Sequence, residues 1–204
     1  MGFEIIDEIT NLEAMLGTYT NRKGDLYYLH VGKTKTGKNK YFFSKKKEGV
    51  LALVIPEGYE IYENVNAQVF LRKIQPKIIL DQEIAMVESE LKRQKPPDHF
   101  KVDTKKNIIT IYQVNQDWEG LAYLLPAGFA LFNRREEMIR QMASYSPMMR
   151  FVLVDKENRL FEPERYCFLG SIDDWVMIGG PDLLKNLVLN FTKHLGEDSF
   201  FELF

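Results

Sequence analysis

The segment 56–73, PEGYEIYENVNAQVFLRK, restricts the possible folds more than any other part of this chain. Two runs in it, Tyr59 to Glu63 and Gln68 to Lys73, alternate apolar and polar residues. Asn64 and Asn66 lie between them, and asparagine tolerates the left-handed backbone that tight turns need. The segment therefore predicts a β-hairpin, and with it an antiparallel sheet.

Similar short runs, rich in aromatic and β-branched residues, recur along the chain between turn residues. Three pairs predict further hairpins: Leu26–Val31 with Lys40–Ser44, Phe100–Asp103 with Ile108–Val114, and Arg150–Asp155 with Arg159–Phe161. Three single runs predict short strands: Val50–Ile55, which Pro56 ends, Tyr166–Leu169 and Trp175–Ile178.

Three segments have the spacing of apolar residues that is typical of amphipathic helices. Residues 3–16 place Ile5, Ile9 and Leu16 on one face. A second helix is expected to begin at Asp81 as its N-cap, with Ile84, Val87 and Leu91 buried, and to end before Pro96. A third is expected to begin with Pro181 at its first position.

These elements together predict an α+β fold. We expect two antiparallel β-sheet units, each packed by one or two helices, and an N-terminal amphipathic helix. The pattern of strands restarts after Val114, so the predicted units are residues 1–115, which contain a basic hairpin, and residues 116–204.

The composition excludes several classes of protein. Hydrophobic residues make up 45% of the 204, which is ordinary for a folded protein, and the net charge is only −2. The single cysteine, Cys167, cannot form a disulfide within the chain, which fits a reducing compartment. Neither a signal peptide nor a membrane-spanning segment is recognisable. We therefore expect a soluble, cytoplasmic protein with no membrane partner.

One stretch resembles a nucleotide-binding loop. Residues 32–38, GKTKTGK, match the spacing GxxxxGK, but Asn39 stands where the motif has Ser or Thr for magnesium. A phosphate-binding loop also opens a helix, whereas the following residues, KYFF, predict a strand. The stretch is therefore interpreted as a basic hairpin loop.

The charge around this loop is the stronger signal. Residues 20–47, the basic segment, carry a net charge of +8, and the remainder of the chain carries −10. The nine basic side chains of the segment are Arg22, Lys23, Lys33, Lys35, Lys38, Lys40, Lys45, Lys46 and Lys47.

Three roles are consistent with a basic hairpin of this kind: binding of nucleic acid, solubility of a sheet edge, and contact with an acidic protein. Aromatic residues on both strand faces, Tyr28 and Phe42 among them, would suit single-stranded nucleic acid if their rings were exposed beside lysines. Lysines also keep sheet edges soluble without binding anything. Arginine binds phosphates and bases better than lysine does, yet lysine outnumbers arginine eight to one here. This ratio favours the solubility role over nucleic-acid binding. An acidic protein surface, or the acidic part of a second copy, is the third possible partner.

We expect no catalytic residue, no metal and no cofactor. The three histidines are far apart in sequence, and Cys167 lies in an apolar run, so neither a zinc site nor a nucleophile is indicated. An enzyme of unrecognised type remains an alternative. Its site would lie between the two halves and use the carboxylates of Glu162, Asp173 and Asp174.

The function predicted from the sequence is a non-enzymatic interaction module whose basic hairpin contacts an acidic protein surface. Nucleic-acid binding through the same hairpin is the first alternative. The predicted binding residues are Lys33, Lys35, Lys38, Lys40, Lys45, Lys46, Lys47, Tyr28 and Phe42.

Overall fold

A computed structural model describes residues 17–95, 98–116, 141–168 and 173–203. The chain divides into two compact units, Met1–Gln75 and Pro76–Phe204. The helix expected over residues 3–16 lies outside the described residues.

The first unit contains two antiparallel sheets. A three-stranded sheet has the order β1-β2-β3, and a separate hairpin joins β4 to β5. The strands are β1 (Thr18–Thr20), β2 (Leu26–Lys33), β3 (Asn39–Ser44), β4 (Tyr59–Glu63) and β5 (Val69–Lys73). Both predicted hairpins of this region are confirmed.

The turn between β4 and β5 depends on Asn64, although its geometry differs from the expected one. The Asn64 side-chain oxygen accepts hydrogen bonds from the amides of Asn66 and Gln68, both at 3.0 Å. The left-handed residue is Ala67, with φ of +61°, rather than an asparagine. The asparagine signal thus located the turn correctly, but it did not identify the residue with positive φ.

A buried asparagine connects the two sheets of the first unit. The Asn21 side chain donates to the Ala67 carbonyl oxygen (2.7 Å), and its own oxygen accepts the amides of Lys23 and Asp25. The hydroxyl of Tyr19 donates to Glu63 at 3.0 Å. A buried amide is retained because all of these polar groups are satisfied.

The predicted strand Val50–Ile55 is wrong over most of its length. Only Leu51 forms a β-bridge, with His30 of β2. Its neighbours fix the segment along the edge of β2, since the Val31 amide donates to the Val50 carbonyl and the Ala52 amide donates to the Leu29 carbonyl. After Ala52 the chain leaves the sheet.

The second unit is built on one six-stranded antiparallel sheet. Five strands follow the order β10-β9-β8-β7-β6, and β11 also pairs with β9. The strands are β6 (Phe100–Lys105), β7 (Ile108–Val114), β8 (Tyr145–Asp155), β9 (Leu160–Cys167), β10 (Asp174–Met177) and β11 (Asp182–Leu183). The two runs predicted as separate strands, from Arg159 and from Tyr166, lie mainly in the single strand β9.

Alternation along these strands places one face of the sheet in the core. On that face, side chains of β7 and β8 lie opposite each other, such as Ile109 opposite Phe151 and Ile111 opposite Met149. All four side chains are fully buried.

Two helices contribute to this core. Helix α1 (Asp81–Gln94) buries Val87 and Leu91, as predicted, whereas Ile84 is only partly buried, and α2 (Leu184–Phe191) buries Leu187. The N-cap of α1 is Leu80 rather than Asp81. Helix α2 begins at Leu184 and not at Pro181, because Asp182 and Leu183 first pair with β9.

The predicted fold class is wrong. The described residues are mostly β-strand, arranged in three sheets with two short helices. Both helices pack their buried side chains with those of the six-stranded sheet, whereas residues 17–75 contain no helix. The predicted division at residues 115 and 116 stays a prediction; that position lies between β7 and β8, which are neighbours in one sheet.

Candidate binding surface on the basic hairpin

The stretch that resembles a nucleotide-binding loop is the turn between β2 and β3. Lys33 pairs with Asn39 at the end of the ladder, and β3 follows the turn directly. Within the turn, the amides of Thr34 and Gly37 donate to the carbonyls of Lys38 and Thr34, and the Lys38 amide donates to the Thr34 hydroxyl. Because these N–H groups are already used, they cannot cradle a phosphate. The interpretation as a hairpin loop is confirmed.

Four lysines lie at this end of the hairpin: Lys33, Lys35, Lys38 and Lys40, called here the tip lysines. All four are exposed. Lys33 donates to the Asn39 side chain at 2.8 Å, which is a neutral partner. Arg22, Lys45 and Arg72, which form ion pairs in this unit, lie outside the tip. The tip therefore presents positive charge that no carboxylate within the described residues neutralises.

Lys45 is part of the predicted site but has an acidic partner. Its Nζ lies 2.7 Å from Asp25 Oδ2 and 5.7 Å from the centre of the Tyr27 ring. The hydrogen bond to Asp25 raises the pKa of the Lys45 ammonium, and the same bond holds the pKa of the Asp25 carboxyl below its usual value. Lys45 is thus less available to a partner than the tip lysines are.

A further cation of the basic segment, Arg22, belongs to the junction of the two sheets. Arg22 pairs with Glu63 (3.1 Å) and donates to the Asn64 carbonyl at 2.7 Å. Partial burial and the nearby Arg22 guanidinium lower the pKa of the Lys23 ammonium. Because Glu63 lies outside the basic segment and pairs with Arg22, the total of +8 overstates the charge that the hairpin offers to a ligand.

The aromatic residues of the hairpin are only partly available. Tyr28 is half-buried and His30 is buried, while the Phe42 ring is exposed on one side. The other side of Phe42 stacks on His30, with ring centres 5.3 Å apart and planes 13° from parallel. The hairpin thus offers one exposed ring instead of a row of them.

His30 fixes the chain that follows β3. Its Nε2 lies 2.8 Å from the Lys46 carbonyl, which can only accept, so Nε2 carries the proton. A Cβ on Gly49 would approach His30 Nδ1 to 3.3 Å. The backbone of residues 46–49 therefore crosses the hairpin next to His30, and Lys46 and Lys47 project from this crossing as exposed side chains.

The sequence did not predict a cluster of exposed aliphatic side chains immediately after these lysines. Val50, Leu53 and Val54 are 67%, 69% and 67% exposed. Their apolar and partly β-branched character made the segment resemble a strand. We call residues 46–54 the lysine-aliphatic loop. The structure places it beside β2 of the basic hairpin.

The three acids of the enzyme alternative do not form one cluster in the described residues. Asp173 accepts a hydrogen bond from the Tyr166 hydroxyl (2.9 Å), which raises the pKa of that phenol. Asp174 pairs in register with Cys167, five residues along β9 from Glu162. At about 3.3 Å per residue, this separates Glu162 from Asp174 by roughly 16 Å. Within the described ranges, no group of three or more His, Cys, Asp or Glu side chains could hold a metal ion.

A groove of about 460 Å³ lies between α1 and β6 in the second unit. Leu91, Phe100 and Val102 contribute apolar surface to it. The Lys101 ammonium in its wall pairs with Asp98 at 2.6 Å. None of the predicted binding residues lines this groove.

Comparisons of this chain with protein-family models, with curated proteins and with solved structures gave no match. Within the part of the chain that the structure describes, no helix combines the length and the apolar character needed to cross a membrane.

Proposed function

We propose that this protein is a non-enzymatic interaction module whose tip lysines contact an acidic surface on another protein or on a second copy of the chain. The observation that carries the proposal is the tip itself: four exposed lysines on a turn whose backbone is fixed by its own hydrogen bonds. A rigid, uncompensated positive turn attracts an acidic surface at long range and orients it.

The rest of the protein supplies the opposite charge. Outside residues 20–47 the net charge is −10, so a second copy is one possible source of an acidic surface. We include a cytoplasmic location in the proposal. It is supported by the one cysteine, Cys167, which is a buried free thiol.

Two features favour a protein partner over single-stranded nucleic acid. Nucleic-acid binders of that class stack successive bases on successive rings, and Phe42 is the one aromatic ring of the hairpin that is exposed. The cations of the tip are all lysines, which lack the planar fork with which arginine binds phosphates and bases.

Charge reversal at the tip tests the proposal. Lys33→Glu, Lys35→Glu and Lys38→Glu together should abolish the contact, because they change the tip charge by −6 on exposed side chains. The melting temperature should stay the same. A matched control reverses Lys105, Lys106 and Lys156, which are exposed at the turn ends of the β6–β7 and β8–β9 hairpins in the second unit, and so changes the net charge equally.

The measurement is quantitative affinity capture from nuclease-treated lysate, together with sizing of the purified protein for self-association. We expect the wild type and the control to capture an acidic protein, or to form an oligomer. The tip variant should do neither. Identical captured proteins and identical oligomeric states for all three would refute the proposal. Tight binding of the purified protein to oligonucleotides, with a steep loss on adding salt, would favour the nucleic-acid alternative instead.

A further inference from the structure

The lysine-aliphatic loop presents a combination that the proposed function does not use. Three large aliphatic side chains within five residues are each about two-thirds exposed. Single exposed apolar residues are normal on protein surfaces, but a cluster of them usually marks an interaction site. Two exposed lysines, Lys46 and Lys47, precede the cluster, and Glu48 is the one acid between them and Val54.

The loop is held beside β2 by backbone contacts at three of its residues, the last of which is Ala52. His30 bonds to the Lys46 carbonyl (2.8 Å), and Val31 and Leu29 bond to Val50 and Ala52 at 3.0 and 2.8 Å. Leu53 and Val54 follow the last of these anchors. Because the backbone on their N-terminal side is already fixed, ordering the loop on a ligand costs less entropy.

From this composition we infer that the loop docks on an anionic lipid membrane, with Val50, Leu53 and Val54 in the interfacial region and Lys46 and Lys47 at the headgroups. Energetically important residues of protein interfaces are enriched in Trp, Tyr and Arg, whereas Leu and Val are under-represented there. Aliphatic side chains beside lysines instead match the two contributions to peripheral membrane binding, which are apolar insertion and attraction to acidic lipids.

This inference goes beyond the proposed function and rests on other residues. The described residues contain no helix that could span a bilayer. That finding does not concern docking of a loop on a membrane surface, which needs no such helix. The tip carries threonine, glycine and asparagine between its lysines and no aliphatic side chain. The tip is therefore suited to a polar, acidic surface, and the loop to a lipid surface.

The test is co-sedimentation of the full chain with vesicles. Vesicles of phosphatidylcholine containing 30% phosphatidylserine should bind the wild type, and pure phosphatidylcholine vesicles should bind it much less. Leu53→Ser with Val54→Ser should lower partitioning about tenfold or more through the loss of apolar insertion. A second variant, Lys46→Gln with Lys47→Gln, should also lower vesicle partitioning, by roughly fivefold per lysine. This loss should disappear at high salt.

Two controls separate insertion from other causes. Met177→Ser with Leu189→Ser changes exposed apolar residues of the second unit and should leave vesicle binding unchanged. An environment-sensitive dye on Leu53→Cys should shift to the blue on binding vesicles, whereas the same dye on Thr36→Cys should not. Circular dichroism checks that each variant is folded.

No binding to the phosphatidylserine vesicles at low salt would overturn the inference. Binding that the serine variant retains in full would also overturn it, because electrostatic attraction alone would then explain the result. If the serine variant loses a captured protein while vesicles never bind, the loop is a protein contact. A loop variant that no longer binds vesicles but keeps the contact made by the tip would leave the proposed function unaffected.

Discussion

The ion pair between Glu83 of α1 and Arg159 of the β8–β9 turn should contribute more to stability than any exposed pair on the same helix. Arg159 Nε donates to Glu83 Oε1 at 2.9 Å, and a second guanidinium nitrogen donates to Oε2. Glu83 Oε2 also accepts the Leu80 amide (2.8 Å), which satisfies the first turn of the helix. The Glu83 side chain is 8% exposed, and that of Arg159 is 29% exposed.

The difference in burial sets the expected magnitudes. Arg159→Met leaves a buried carboxylate with one remaining partner, which should cost about 3 kcal/mol, the lower end for a broken buried pair. Glu83→Gln leaves a guanidinium that can reach water and keeps an oxygen for Leu80, so it should cost about 1–2 kcal/mol. The double variant Glu83→Gln with Arg159→Met should cost less than the sum of the two.

Urea unfolding followed by circular dichroism measures these free energies, and the double-mutant cycle isolates the pairwise interaction. The matched control is Lys77 with Asp81 at the start of the same helix, where the side chains are 63% and 80% exposed. Removing Lys77 should cost about 0.5 kcal/mol or less. Equal costs for Lys77→Met and Arg159→Met would contradict the argument that burial decides the strength of these pairs.

Three further changes test a tight backbone contact, a buried side chain and an exposed ion pair. Gly17→Ala should destabilise the first unit by at least about 2 kcal/mol in urea unfolding, because φ is +65° and the new Cβ would lie 2.0 Å from the Ala52 carbonyl oxygen. Phe151→Ala, at a fully buried position, should cost about 3–5 kcal/mol in the same assay, and a cost under 1 kcal/mol would refute its place in the core. Asp25 has a lowered pKa in the folded state, so its pairing with Lys45 stabilises the protein above the usual carboxyl pKa and is lost as pH falls through the folded value. The difference in melting temperature between wild type and Asp25→Asn should therefore be largest near pH 7 and should shrink as the pH falls below the usual carboxyl pKa, and a difference that does not change with pH would contradict that sign.

Hairpins closed by short turns could be predicted from the sequence because both strands and the turn signal lie within about 20 residues. The pairs β4–β5 and β6–β7 are examples. The start of α2 could not be predicted, because Asp182 and Leu183 are drawn into a strand by β9, some 20 residues earlier in the chain. Helical propensity and Pro181 give no information about such a distant partner.

The error at residues 50–55 has a similar cause. The run VLALVI has high β-propensity, but β1 already occupies the part of the β2 edge from Leu26 to Tyr28. The loop segment bridges the remaining part at Leu51, and the chain then leaves the sheet. Propensity alone cannot show that the available edge is so short.

The candidate site was predicted by residue type and corrected by geometry. The count of charges located the basic hairpin, which the structure confirms as a hairpin. It could not show that Lys45 pairs with Asp25, or that Arg22 pairs with Glu63. A sequence gives the number of cations, whereas their availability depends on which carboxylates the fold brings near.

Photo-crosslinking can decide whether the hairpin tip touches an acidic protein surface, as we propose. A photoreactive amino acid at Thr36, which is exposed between Lys35 and Lys38, would trap what lies against the tip. We predict an adduct with an acidic segment of another protein or of a second copy, and no such adduct from the same group at Lys106 in the second unit. Adducts with nucleic acid, or equal adducts from both positions, would contradict the claim.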